Sequence, residues 1–285
     1  MSPILYAPLY SLAYFFSLLP LAILYRIAGV LYVLAYHVFG YRREVVIQNL
    51  SRAFPEREYM EIKALSKGFY RSFTDWMAEI VKLFSISQVQ LERQVELTNV
   101  EFIHKCIGEG RNVIAGMGHF GNWEMLSILP RLLDLEVVSV YKPMRNRVMD
   151  KILYKLRSRF GMRLISSPQV VRHMLQNKHN PSLYLFIADQ CPAVADQSER
   201  VLFLNQSTNM LPGIEKLAKA GNSAVVYFFM KRTGRGTYHI ECIPICEFPQ
   251  EAAEVSITTS YKELLEYNIM VNPDNWLWTH KRWKR

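Results

Sequence analysis

Hydrophobic and polar positions follow three different patterns along the chain. From Pro3 to Tyr25 there is no charged residue, and Ile27 to Tyr41 is apolar apart from His37. A run of that length suffices for a helix across a hydrocarbon core of roughly 30 Å. Pro20 and Arg26 interrupt it, and Arg42 and Arg43 close it. There is no basic leader and no small-x-small cleavage site, so a signal peptide fits poorly. Two membrane geometries remain: a single tilted span, or a bent pair of helices in one leaflet with Arg26 snorkelling to the headgroups. The alternative is a buried hairpin of a soluble protein. The two arginines place the body that follows in the cytoplasm by the positive-inside rule.

In the second pattern, residues 57–84, the apolar positions Met60, Ile62, Leu65, Phe69, Phe73, Met77, Ile80, Val81 and Phe84 recur at helical spacing. In the third, short apolar runs alternate with helical ones. The runs predict strands at 95–99, 112–117, 136–141, 182–188, 223–230 and 238–245. They predict helices near 100–108, 122–133, 146–160, 168–178, 211–220 and 254–271. Such alternation implies an α/β fold, a mostly parallel central sheet flanked by helices. The KRTGRG stretch (231–236) reads as a hairpin turn, which makes the last two strands antiparallel. The predicted organisation is a membrane-associated helical segment, 1–41, and a body, 42–285.

In an open α/β sheet, ligands bind beyond the carboxyl ends of the strands. Three stretches supply polar groups there: His119 to Glu124, then Lys142, Arg145 and Arg147, then Asp189, Gln190 and Cys191.

Composition narrows the reading. Half of the 285 residues are hydrophobic and 21% are charged, which excludes a disordered chain. The net charge of +9 points to anionic partners. Cys106, Cys191, Cys242 and Cys246 are irregularly spaced and read as free thiols of a reducing compartment. Cys242 and Cys246 lack the further ligands of a zinc site, so no metal is expected.

The stretch AGMGHFGNWEML (115–126) carries the candidate chemistry. Gly118 and Gly121 permit a tight strand-to-helix turn. Asn122 is a candidate N-cap, and Glu124 falls in the first helical turn, where the dipole favours its charge. With a turn between them, the His119 imidazole can fold onto the Glu124 carboxylate, giving a base and its orienter. The same spacing also fits a turn-capping histidine beside a helix-stabilising glutamate. The block holds no Ser or Cys, and no G-x-S-x-G occurs in the chain. A nucleophile activated by His119 therefore belongs to the substrate, such as a hydroxyl attacking an activated acyl group. No cofactor is needed for that route.

GHFGNWE resembles the H-x₄-D/E motif of the lysophospholipid-acyltransferase superfamily. More closely, the chain resembles the bacterial lipid A biosynthesis acyltransferases, the late lauroyl and myristoyl transferases. The resemblance also covers YRREVVIQNLSRAFPE, GFYRSFTDWMAEIVKL, VYKPMRNRVMDKILYKLRSRFG, FIADQCP and PDNWLWTHKRWK, in that order. It implies an enzyme of the inner membrane, at its cytoplasmic face. Such an enzyme moves a fatty acyl chain from acyl carrier protein, or coenzyme A, to a hydroxyl of a lipid A precursor. His119 matches the base and Glu124 its partner. The family arginine falls on Arg157 or Arg159, with Arg157 preferred, and the aspartate of the DQ element falls on Asp189. Where relatives follow DQ with an aromatic loop and a threonine near a glycine, this chain has CPAVADQSERVLFLNQSTNMLPG, with Gln206, Ser207 and Thr208. That leaves the acceptor open: an amino-acid lipid, a glycolipid or a polyene headgroup is the alternative, as is an idle homologue that only binds lipid or carrier. An apolar groove is expected to hold the acyl chain.

Two charged regions complete the reading. Residues 141–175 contain nine Lys or Arg and one acid, Asp150. Lys142, Arg145, Arg147, Lys151 and Lys155 form a patch suited to lipid phosphates of an anionic leaflet or to an acidic carrier protein. Arg157 can hold phosphate bidentately. At the end, Trp276, Trp278 and Trp283 mix with Lys281, Arg282, Lys284 and Arg285, which suits a membrane interface, although plain packing of the rings accounts for them equally well. No nucleic-acid motif is present, so no nucleic-acid partner is expected.

Overall fold

The computed structural model describes residues 5–177, 179–191 and 199–283. The apolar N-terminal run is bent, not straight. Helix α1 (Tyr6–Ser17) ends before Pro20, and α2 (Leu21–Tyr32) starts after it and continues as a π-helical turn, Val33–Val38. Proline suits a helix start because its missing N–H has no partner there anyway. Among the described residues, Leu21–Val38 is the one helical stretch long and apolar enough to cross a membrane, and 17% of it is buried. Outward-facing Leu12, Phe15, Val30, Val38 and Phe39 are exposed.

Helix α3 (Arg43–Ala53), which the periodicity did not predict, leads into α4 (Tyr59–Lys82). At 24 residues α4 is about 36 Å long. It buries Ile62, Phe69 and Trp76, while Met60 and Met77 of the predicted stripe are exposed. The bent pair docks along α4: Leu24 and Ala28 pack on Ala78, and the Lys82 ammonium donates to the Ser17 and Leu19 carbonyls at 2.9 and 3.1 Å.

After a short α5 (Gln88–Glu92) the sheet begins. Its elements are β1 (Val95–Thr98), α6 (Glu101–Gly108), β2 (Val113–Met117), a 3₁₀ turn (Trp123–Ile128) running into α7 (Leu129–Leu133), and β3 (Val137–Tyr141). Then come α8 (Arg147–Arg157), β4 (Arg163–Ser166), α9 (Val170–Gln176), β5 (Leu183–Ile187), β6 (Glu199–Phe203), β7 (Gln206–Met210), α10 (Gly213–Gly221), β8 (Ala224–Gly234), β9 (Thr237–Cys246) and α11 (Ser256–Val271). The order is β1-β9-β8-β2-β5-β3-β4, parallel except for the β8–β9 hairpin, and β6–β7 form a separate hairpin. Every predicted strand is present. The periodicity missed β4, a four-residue edge strand, and the β6–β7 hairpin. Both lack a long apolar run because only part of each is covered.

Central β2 reads VIAGM and is buried at every position, as a strand covered on both faces must be. The four cysteines are free thiols, and no cluster of three or more His, Cys, Asp or Glu with metal-site geometry occurs among the described residues.

Candidate active site

Strands β2 and β5 are parallel neighbours, with Met117 opposite Ile187. Each chain runs two residues further, to His119 and Asp189. This register alone brings the two side chains together at the carboxyl edge of the sheet. The His119 Nδ1 lies 2.5 Å from Asp189 Oδ1, and the His119 backbone N–H donates to Oδ2 at 2.8 Å. The Trp276 indole N–H donates to the same Oδ2 at 2.7 Å. Burial would raise the Asp189 carboxyl, but the charge of His119 and these hydrogen bonds outweigh it and hold it at about 2. A proton on Nδ1 satisfies the carboxylate, which leaves Nε2 as the acceptor nitrogen. The Gln190 side chain lies 3.5 Å from Nε2.

The glycines around His119 allow this approach. A Cβ on Gly118 would sit 2.6 Å from Leu265 and 3.2 Å from Asp189 Oδ2. Gly121 has φ +54°, and a Cβ there would meet the Tyr238 ring at 2.7 Å.

The expected pairing of His119 with Glu124 is therefore corrected: Asp189 is the carboxylate on the imidazole. Glu124 opens the 3₁₀ turn and faces α8 instead. Both its oxygens accept from Arg157, from Nε at 2.7 Å and from Nη2 at 2.5 Å. Glu124 is nearly buried, and Arg157 is 23% exposed at its side chain. Burial disfavours the Arg157 charge, but its bonds to Glu124 more than restore it, so its pKa stands above the ordinary value. Trp123 joins the two pairs. Its N–H donates to Glu124 at 3.0 Å, and its ring meets the His119 imidazole edge-on at 4.9 Å.

Other predicted residues fall elsewhere. Asn122 is buried but does not cap the turn; its amide donates to Glu79 of α4 at 3.3 Å. Arg159 donates to the Leu83 carbonyl at 2.5 Å and so closes the end of α4, and it is Arg157 that bonds Glu124. Lys142, Arg145 and Arg147 are exposed around the start of α8. Arg157 is at its other end, about 15 Å along the helix from Arg147. Lys151 and Lys155 of the expected patch stand over the Tyr6 and Tyr10 rings of α1, at 4.4 and 4.2 Å.

The aromatic C-terminal stretch is not an exposed interface. Trp276 and Trp278 are buried. This segment lies against the His119 loop: Gly121 N–H donates to the Asn275 carbonyl at 2.7 Å, and Leu277 N–H donates to the His119 carbonyl at 3.1 Å. Arg282 is buried as well, donating to the Asp189 carbonyl at 2.8 Å, the Thr208 hydroxyl at 2.5 Å and the Asn209 carbonyl at 2.9 Å. The last two basic residues of that stretch, Lys284 and Arg285, lie outside the described residues, as do Pro192 to Ser198.

Two cavities of about 410 Å³ each lie away from this edge. One is lined by Ile243, Ile245 and Tyr267, the other by Gly29, Tyr32, Arg71 and Arg235. Neither adjoins His119, so neither is the expected acyl groove.

Residues that the sequence did not point to as part of the site are Trp276 and Glu79; Trp123 was within the expected stretch but without a role. The signal for Asp189 as the partner was available, because it stands as far beyond its strand as His119 does beyond β2.

The chain is similar to known proteins along most of its length. The chain is 22% identical over 234 residues to a lipid A biosynthesis acyltransferase of Haemophilus influenzae, covering 81% of this chain and 72% of that protein. It is 23% identical over 282 residues to a lipid A biosynthesis lauroyltransferase of Escherichia coli K12, covering 93% and 87%. A solved structure, the 1-acyl-sn-glycerophosphate acyltransferase PlsC of Thermotoga maritima, aligns with 90% of this chain and 96% of its own at a TM-score of 0.39 and 12% identity. The family described as bacterial lipid A biosynthesis acyltransferase matches residues 9–285, and the chain belongs to that family of acyltransferases.

Proposed function

We propose that the protein transfers a fatty acyl chain from a thioester of acyl carrier protein, or of coenzyme A, to a hydroxyl of a lipid A precursor at the cytoplasmic face of the inner membrane. The observation that carries this reading is the His119–Asp189 contact at the open edge of the sheet, which leaves Nε2 as the acceptor nitrogen, with the Gln190 amide 3.5 Å from it. His119 Nε2 takes the proton of the acceptor hydroxyl. The oxygen forms a bond to the thioester carbonyl carbon, giving a tetrahedral oxyanion. Its collapse breaks the carbon–sulfur bond, and His119 returns the proton to the leaving thiolate. General-base assistance of this kind contributes about 10²–10⁴-fold.

Arg157 uses Nε and Nη2 on Glu124. Its Nη1 is the donor for a phosphate of the acceptor or of the donor's pantetheine arm. Glu124 thus serves as the orienter of Arg157. Lys142, Arg145 and Arg147 meet the anionic leaflet or the acidic carrier. The exposed apolar faces of α1 and α2 support embedding of the bent pair in one leaflet, because so large an exposed apolar surface is unfavourable in water.

The test is His119→Ala, assayed by mass spectrometry of lipids from cells with and without the gene. The variant is expected to leave the acceptor one acyl group lighter, as in cells without the gene, while still binding that acceptor. Full acylation by the variant would overturn the reading.

A further inference from the structure

We propose that Trp276 is a positioning residue for the transfer reaction, acting through Asp189, and that residues 274–282 form a strap that sets both halves of the dyad. This rests on the reading of His119 as the base.

An aspartate held only through one oxygen keeps rotational freedom, because its terminal torsion is broad. Here the oxygens are divided. Oδ1 receives the imidazole, while Oδ2 receives the His119 backbone N–H and the Trp276 N–H. The backbone bond comes from the same loop as the imidazole, so it moves with it. Trp276 is the side-chain donor that comes from a separate element. An indole N–H can only donate. It therefore favours the anion and one orientation of the carboxylate plane.

The strap itself is fixed. The Trp276 ring packs edge-on against Trp278 at 4.7 Å and against Phe203 of β6 at 6.0 Å. The Asn49 amide of α3 donates to the Trp278 and His280 carbonyls at 2.9 and 3.0 Å, and Arg42 donates to the Thr279 carbonyl at 3.0 Å. Arg282 clamps the Asp189 main chain to β7. The same segment holds the other half of the dyad, since Leu277 N–H donates to the His119 carbonyl and Trp276 bridges Phe120. One stretch of backbone thus sets the spacing between base and carboxylate.

Trp276→Phe keeps the ring and removes the donor. The expected result is a fall in kcat of about 10-fold with KM little changed, for a hydrogen bond to a charged group. A less stabilised Asp189 holds the imidazolium more strongly, so the acid limb of the kcat/KM profile moves up by about one pH unit. Trp278→Phe removes a strap bond to the Pro273 carbonyl that does not touch Asp189. It is expected to move the acid limb less than Trp276→Phe does, because the bond to Asp189 is kept. Incorporating 5-fluorotryptophan in a Trp123→Phe background strengthens the Trp276 N–H donor, and it moves the limb to lower pH than in the unfluorinated Trp123→Phe protein.

An unmoved limb in both Trp276→Phe and the fluorinated enzyme would overturn the proposal, as would equal shifts for Trp276→Phe and Trp278→Phe. If His119→Ala retains turnover, the base assignment has failed. If His119→Ala is inactive while Trp276→Phe matches the parent in rate and profile, only the positioning role has failed.

Discussion

Asp189 and Glu79 are both buried carboxyls, and each collects several donors, yet their surroundings drive them in opposite directions. Asp189 faces an imidazole, a backbone N–H and an indole, and is held at about 2. Glu79 accepts from the Tyr25 hydroxyl at 3.1 Å, Asn122 at 3.3 Å, Gly236 N–H at 3.0 Å and the Tyr238 hydroxyl at 2.7 Å, with Arg232 at 3.5 Å. Burial dominates there and raises its pKa, although Tyr238, Arg232, Tyr25 and Asn122 all oppose the rise. The number of donors does not explain the difference. The closeness of the charged partner does: His119 touches Asp189 at 2.5 Å, whereas Arg232 stands 3.5 Å from Glu79 and gives its 2.8 Å bond to Asp75, so the desolvation of Glu79 is answered only in part. One carboxyl is built to stay charged beside an imidazole. The other joins α2, α4, the loop after β2 and the β8–β9 hairpin.

The comparison can be broken at either end, and the largest effect is expected at Asp189. Asp189→Asn keeps the volume and removes the charge that holds the imidazole. Turnover should fall by about 10²–10⁴-fold, measured with a thioester donor.

Next comes Glu124→Ala, which leaves Arg157 without its carboxylate. Truncating one partner of a buried pair costs about 3–5 kcal/mol. The 23% exposure of the Arg157 side chain brings the expectation to the low end or below, about 2–3 kcal/mol. Chemical denaturation in detergent reads it, and Glu124→Ala together with Arg157→Leu should recover part of the loss.

A third outcome concerns acid. The Asp189 carboxyl is lower in the fold than its ordinary 3.8, so its contribution is present above that value and is lost as pH falls toward about 2. The contribution is about 2 kcal/mol, and Asp189→Asn should flatten that part of the stability profile.

Glu79 should show the opposite trend with the smallest amplitude. Its raised pKa means that its contribution is complete at low pH and declines as pH rises through the folded value. The stability gap between the parent and Glu79→Gln should therefore narrow from acid to neutral pH, as followed by thermal melts. A gap that widened would mean that Glu79 is held as an anion after all.

Much of this architecture was legible in the pattern of residues. The strands of the large sheet have continuous apolar runs because both faces are covered, and β2, β5 and β8 were readable for that reason. The position of His119 and Asp189 beyond neighbouring strand ends was readable too, once a parallel sheet was inferred. The partnership was not, because linear proximity favoured Glu124, whereas strand register pairs residues 70 positions apart. Likewise the sequence left Trp276 and Arg282 open between an interface and packing, because tryptophan beside arginine looks the same whether it faces lipid or a buried carbonyl. Nothing in the periodicity of α4 set Asp75 and Glu79 apart as buried acids. Their partners Arg232 and Arg235 sit more than 150 residues later, at the β8–β9 turn.

The hydrogen bond from Tyr25 to Glu79, followed by the one from Asn122 to Glu79, has a practical meaning for anyone wishing to work with a water-soluble fragment. Cutting the chain near residue 41 would strip away more than a tether: it would uncover Ala78 on α4, unbind Lys82 from the Ser17 carbonyl and leave an inner acid with one donor fewer. Shortened versions should crystallise, if at all, with a displaced loop after β2, and their inactivity would say nothing against the intact enzyme.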